Sequence, residues 1–162
     1  MVDLVFAKVE LPQAGGHWRN EIARRCHSLR EVFHQHPWSI GLLESRLNPG
    51  PATLRHLDAV VGTLRNGGFS IVMAAHAIAF IDAYVYGFAI QEATMPFEPS
   101  TVNDVAAGVL AVMPEGEYPY LVELATQHVM LPGYDFREEF DYGLTLVLDS
   151  IERAAGLHQS QR

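Results

Sequence analysis

Residues 70–95 read SIVMAAHAIAFIDAYVYGFAIQEATM, and this stretch decides the fold. Ser70 suits a helix N-cap, and the run continues to about Met95, where Pro96 and Pro99 break the chain. It is apolar nearly all round, and a helix of that kind needs cover on both sides. Ala74, Ala75, Ala77, Ala79, Ala83 and Ala89 keep one part of its surface slim enough for close helix packing. Phe80, Tyr84 and Phe88 project elsewhere and suit a cavity wall. Asp82 would cost about 2.5 to 3.5 kcal/mol near the centre of a bilayer, and no second such segment exists. The stretch is therefore read as a buried helix of a globular, non-membrane protein.

Working towards the N-terminus, Pro51 to Asn66 carries Leu54, Leu57, Val61 and Leu64 on one face. Gly67 follows where a left-handed cap is expected. Asn48-Pro49-Gly50 reads as a turn, and Pro37 opens a short helix from Trp38 to Ser45. From His17 to His36, Trp18, Ile22, Cys26, Leu29 and Phe33 form an amphipathic stripe. Arg19, Arg24, Arg25 and Arg30 spread around that helix and are read as a solvated face. Val2, Phe6 and Val9 line a short leading helix that ends by Pro12 and Gly15-Gly16.

Towards the C-terminus, Thr101 with Asp104 resembles a capping box for a helix to Met113, and Pro114 stops it. Pro119 opens a helix through Met130, closed by Pro132-Gly133. Asp135 and Glu138 make another capping pair. The last helix shows Phe136, Phe140, Leu144, Val147, Leu148 and Ile151 in a broad apolar stripe before Gly156. Helix follows helix, so the fold class is all-α, a multi-helix bundle.

Composition bounds the function. A chain of 162 residues, 49% apolar and 19% charged, forms one core-rich unit by default. The formal charge is −8, with 12 acidic residues between Glu92 and Glu152, and such a field repels polyphosphate backbones. Cys26 is the only cysteine, which fits a reducing, cytoplasmic setting. No Ser-His-Asp order, phosphate-cradling glycine loop or HExxH spacing occurs. No two of the eight histidines stand four residues apart as metal ligands on one helix face would. The expectation is no enzyme, no catalytic residues, no cofactor and no metal.

Phe33, Trp38, Met73, Phe80, Tyr84, Phe88, Gln91 and Met95 read first as an ordinary core, and second as an apolar box with a few polar points. His76 within the apolar helix reads as an isolated buried imidazole, either facing a ligand or satisfied in a core, and His56 raises the same question one helix earlier. Asp82 lies six positions beyond His76 and faces a helix or subunit interface instead.

Several landmarks in order resemble the effector domain of tetracycline-repressor-like transcription regulators. They are His36-Pro37-Trp38, Gly50-Pro51, the run Leu64-Arg65-Asn66-Gly67-Gly68-Phe69-Ser70, the stretch from Ala83 to Glu92, and Phe140-Asp141-Tyr142-Gly143-Leu144. The resemblance spans about Val2 to Gly156 and is weakest between Pro96 and Tyr134. It implies a lipophilic or aromatic small-molecule effector in a helical pocket, and a homodimer joined by a four-helix bundle of the 70–95 and 136–155 helices. On this reading residues 1–12 are the remnant of a connecting helix, 13–157 the effector-binding and dimerisation domain, and 158–162 a disordered tail. The helix-turn-helix reader that precedes this domain in the family is expected to be absent, so operator DNA would be reached only through it. Founding members chelate a drug-bound magnesium through a histidine and a glutamate. Here Gln91 takes the glutamate position and no histidine adjoins Asp82, so no metal is expected.

The ligand contacts implied are Phe33, Trp38, His56, Met73, His76, Phe80, Tyr84, Phe88 and Gln91. The dimer contacts implied are Asp82, Tyr86, Gly143, Leu144, Val147, Leu148 and Ile151. Two other readings stand beside this one: a stand-alone helical dimerisation module without ligand, and a small helical enzyme using His76 and Glu92, which lie about four and a half turns apart.

Overall fold

A computed structural model describes residues 2–40, 49–95 and 101–157. Asn48, Pro96 and Pro99, most of the helix expected over Trp38–Ser45, and the tail 158–162 lie outside the described residues. Every regular element among them is helical: α1 (Val2–Phe6), α2 (Trp18–Gln35), a 3-10 turn (Pro37–Ser39), α3 (Pro51–Asn66), α4 (Ile71–Thr94), α5 (Val102–Ala111), α6 (Pro119–Leu124) running into a π turn (Ala125–Val129), a 3-10 turn (Phe136–Glu138), and α7 (Glu139–Ala154). The chain packs as two units where composition implied one. Among the described residues, the first holds 2–40, 49–93 and 141–157, the second 94–95 and 101–140.

In the first unit the caps fall largely where residue chemistry puts them. Ser70 Oγ accepts the N–H of Met73, which satisfies one of the free donors at the start of α4. Pro51 occupies the first turn of α3, where its missing N–H is harmless. Asp3 of α1 reaches the same helix start, its carboxylate accepting from Thr53 N and Oγ1 at 2.9 and 3.1 Å. The Thr53 N–H holds the Asp3 carboxyl below its usual range. The left-handed residue after α3 is Gly68, with φ +95°, and not Gly67. Gly67 serves instead as clearance, because a Cβ there would stand 2.6 Å from Trp18 Cβ.

The core of this unit is drawn from α1, α2, α3, α4 and α7. Phe33, Phe69, Ile22, Leu29, Leu64, Ile81 and Ile151 are its largest fully buried apolar side chains. Trp18 meets Phe69 edge-on at 4.8 Å, a favoured aromatic geometry. α4 departs from the expectation of burial on all sides. Ala74, Ala77, Ile81, Val85, Phe88 and Ala89 face inward, whereas Ile71, Val72, Phe80 and Ile90 are about half exposed or more. By length and hydropathy α4 passes for a membrane span, but its Asp82 is engaged by an arginine of α2.

In the second unit the expected helix from Pro119 to Met130 is α-helical only to Leu124. Five residues of π geometry follow, closed by the Met130 N–H bonding to Ala125 O at 2.8 Å. Asp135 caps the next turn by accepting from Arg137 N.

Candidate functional site

The α2 stripe contains a position that reading its apolar residues alone passes over. Arg25 stands three residues after Ile22 and four before Leu29, so the helix carries its guanidinium inward, and it is 2% exposed. A charge so placed requires partners. Nη1 donates to Asp82 Oδ1 of α4 at 2.6 Å, and Nε donates to His56 Nε2 of α3 at 2.9 Å. Three helices are thus tied by one side chain. The other arginines of α2, read from sequence as a solvated face, are partly exposed but each is paired. Arg19 pairs with Asp149 and Glu152, Arg24 with Glu10 and Glu21, and Arg30 with Glu92.

The geometry at His56 fixes its tautomer. Because Nε2 accepts from a permanently protonated guanidinium, the neutral imidazole carries its proton on Nδ1. His56 is fully buried, and its Nδ1 is the single buried side-chain nitrogen or oxygen among the described residues with no hydrogen-bond partner. Burial, and secondarily the Arg25 charge, pull the imidazole down to about 4, so it is neutral near pH 7. Phe6 packs on it with ring centroids 5.1 Å apart.

Phe33 meets Tyr86 edge-on at 5.4 Å, and burial together with Asp82 pushes the Tyr86 phenol up to about 12. Burial raises Cys26 to about 11, leaving an unreactive thiol. Further along α4, Glu92 accepts two bonds from Arg30, whose guanidinium lies 5.0 Å above the Phe88 ring. Tyr84 neighbours Phe88 at 6.1 Å, and its hydroxyl occupies space that a Cβ on Gly143 would enter.

Of the ligand contacts read from sequence, Phe33, His56 and Phe88 are buried in the first unit, and Met73 and Tyr84 are partly buried. Trp38, His76, Phe80 and Gln91 are exposed, and Trp38 leans on His36 at 6.0 Å. His76 is thus not a buried imidazole, because its position on α4 turns away from α2. Of the dimer contacts, Leu144, Val147, Leu148 and Ile151 belong to the chain's own core, with little surface left to bury. Asp82 is held by Arg25 and Tyr86 by Phe33. The outward apolar side chains of α7 are Tyr142 and Leu146, about two-thirds and half exposed.

The second unit contains a cavity of about 270 Å³ that sequence reading did not anticipate. Val102, Val105, Ala106, Val109 and Leu110 of α5, with Met113 just beyond it, form one wall. Leu121, Leu124, Ala125 and Val129 of α6 and the π turn form the other. Neither wall bears a charged or hydrogen-bonding side chain. Its signal lay in the spacing of the α5 residues, which recur at three- and four-residue steps along one face.

A family profile described as the C-terminal domain of tetracyclin repressor-like proteins matches residues 11–155. An HTH-type transcriptional regulator of Saccharopolyspora erythraea is 28% identical over 157 residues, which is 96% of this chain and 65% of that protein. The HTH-type transcriptional repressor DrrR1 of Streptomyces coeruleorubidus is 26% identical over 166 positions, covering 94% of this chain and 60% of that protein. The chain therefore spans less than two thirds of the length of these curated relatives. Among solved structures, ActR of Streptomyces coelicolor, a TetR family protein crystallised with actinorhodin, superposes with a TM-score of 0.77 at 25% identity. That match covers 96% of this chain and 74% of ActR.

Proposed function

The chain belongs to the tetracyclin repressor-like C-terminal domain family, and from that premise we propose that it is the effector-sensing and dimerising part of a cytoplasmic transcription regulator. Residues 13–157 carry that role, and residues 1–12 end a connecting helix. In the intact regulator this part would govern operator binding by a DNA-reading domain. The effector is a small aromatic or lipophilic molecule with at least one hydrogen-bond acceptor. One observation carries this reading: the His56 Nδ1–H is buried without a partner beside Phe6, Arg25 and Asp82. An unpaired buried donor costs about 1 to 3 kcal/mol, and an effector carbonyl or ether oxygen would recover it. Phe33, Tyr84 and Phe88 supply aromatic surface in the same unit. That a structural neighbour was crystallised with actinorhodin agrees with a ligand of this class.

Dimerisation follows from what α4 and α7 leave uncovered. Ile71, Val72, Phe80 and Ile90 on one helix and Tyr142 and Leu146 on the other are large apolar groups facing solvent, and a second subunit covers such surface in isologous pairing. These residues replace the inward-facing Leu144, Val147, Leu148 and Ile151 as the contacts proposed.

A thermal-shift titration of the purified chain tests the effector reading, with actinorhodin and a panel of aromatic carbonyl compounds as probes. A saturable rise that His56→Phe abolishes, while the variant keeps its helical circular dichroism, is the expected result. A rise unchanged by His56→Phe defeats the site, and no rise with any probe defeats the effector reading. Light scattering tests the dimer, whose expected mass is twice 18.0 kDa and halves in Phe80→Glu with Leu146→Glu.

A further inference from the structure

The cavity in the second unit shares no residue with the His56 cluster and differs from it chemically, and its lining follows from an irregularity of the backbone. Leu121, Leu124 and Ala125 lie on one face of α6 at steps of three and one. In an unbroken α-helix the next residue on that face is His128, seven positions after Leu121. The π turn inserts one extra residue, as the Met130 N–H reaching back five positions to Ala125 O shows. Val129 consequently takes the inner place. His128 turns outward, where its Nε2 lies 2.9 Å from the Glu139 carboxylate and its ring 4.9 Å from Tyr134. Turns of this kind gather at functional sites, and here the turn exchanges a polar imidazole for an aliphatic wall.

We propose that the cavity between α5 and α6 is a second binding site, for an uncharged, hydrocarbon-rich small molecule about two aromatic rings in size. The volume of about 270 Å³ is nearly twice the roughly 150 Å³ that holds one benzene. A charged ligand would shed its hydration with no group to replace it. The site is not a filled part of the core, because Val105, Val109, Leu121 and Leu124 on its walls are between a third and just over half exposed, whereas interiors close-pack. Met113 at one end supplies a flexible chain that adapts to the shape of the occupant.

The experiment compares two probes with the same two rings: naphthylamine, uncharged and with fluorescence that shifts in apolar surroundings, and its sulfonated counterpart aminonaphthalene sulfonate. The expected result is saturable fluorescence with the first at one molecule per chain, and at least tenfold weaker binding of the second. Ala106→Phe fills the cavity and Val129→Asn puts a polar group on its wall. Each is expected to weaken naphthylamine binding at least tenfold, and two variants guard against either one failing to fold, as checked by circular dichroism. Binding lost in His56→Phe but kept in both cavity variants overturns the proposal while leaving the effector reading intact. Absence of binding, equal binding of the sulfonate, or saturation at one probe per two chains with doubling of the scattering mass also overturns it.

Discussion

The interior around Arg25 and the cavity walled by α5 and α6 are built from the same kind of helix, yet they resolve their buried space in opposite ways. In the first unit three helices converge on a guanidinium, a carboxylate and an imidazole, each held by directional bonds of 2.6 to 2.9 Å. In the second, two helices face each other through branched aliphatic chains and leave about 270 Å³ between them. Directional groups tolerate one arrangement, because any other leaves a buried charge unpaired. Aliphatic walls set only volume and shape. The first region is suited to recognising an atom, the second to measuring a size.

The largest effect expected from testing that contrast comes from removing the anion. Asp82→Ala strands Arg25 in an interior where it is 2% exposed, and the loss is about 3 to 5 kcal/mol in denaturant unfolding. Replacing both partners, as Arg25→Met with Asp82→Leu, is expected to restore most of it. A loss below about 1 kcal/mol for Asp82→Ala would remove the distinction between the regions.

Acid supplies the next effect. His56 has its folded-state value depressed from 6.5 to about 4, so the unfolded chain binds the proton first. The contribution is fully present above about pH 6.5 and is lost as pH falls towards about 4, on the order of 3 kcal/mol when complete. Stability measured across that window is expected to fall in the native chain and to lose this component in His56→Phe. A slope unaltered by the substitution would mean that the imidazole titrates freely.

The smallest effects separate a packed wall from an open one. Val85→Ala, at a fully buried position of α4, is expected to cost about 2 kcal/mol through lost burial and a new void. Val129→Ala in the partly open cavity is expected to cost less than about 1 kcal/mol. Equal losses in chemical denaturation would show the second region to be as tightly packed as the first.

Much of this organisation was legible in the residues. Pro51, Ser70 and Asp135 announce helix starts by their own chemistry, and Gly156, with φ +72°, sits at the stop expected of it. The landmarks from His36 to Leu144 pointed to the family that the profile match shows. Individual side-chain roles were less legible. His76 stands in an apolar run yet faces outward, because the inward face of α4 is drawn from Ala74, Ala77, Ile81, Val85, Phe88 and Ala89. Leu144 to Ile151 look like an interface by pattern, but apolar periodicity reports only that a face is covered, not by which chain.

The sequence by itself determined the order of the helices and most of their starts and apolar stripes, since caps, breakers and periodicity act over a few residues. Tertiary structure alone decided that Arg25 joins His56 and Asp82, residues 31 and 57 positions away. It also decided that one inserted residue exchanges His128 for Val129 on the α6 wall. The reason is physical: pairing a buried charge and closing a π turn are settled by the competition of whole packed arrangements, and no local window of residues contains that competition.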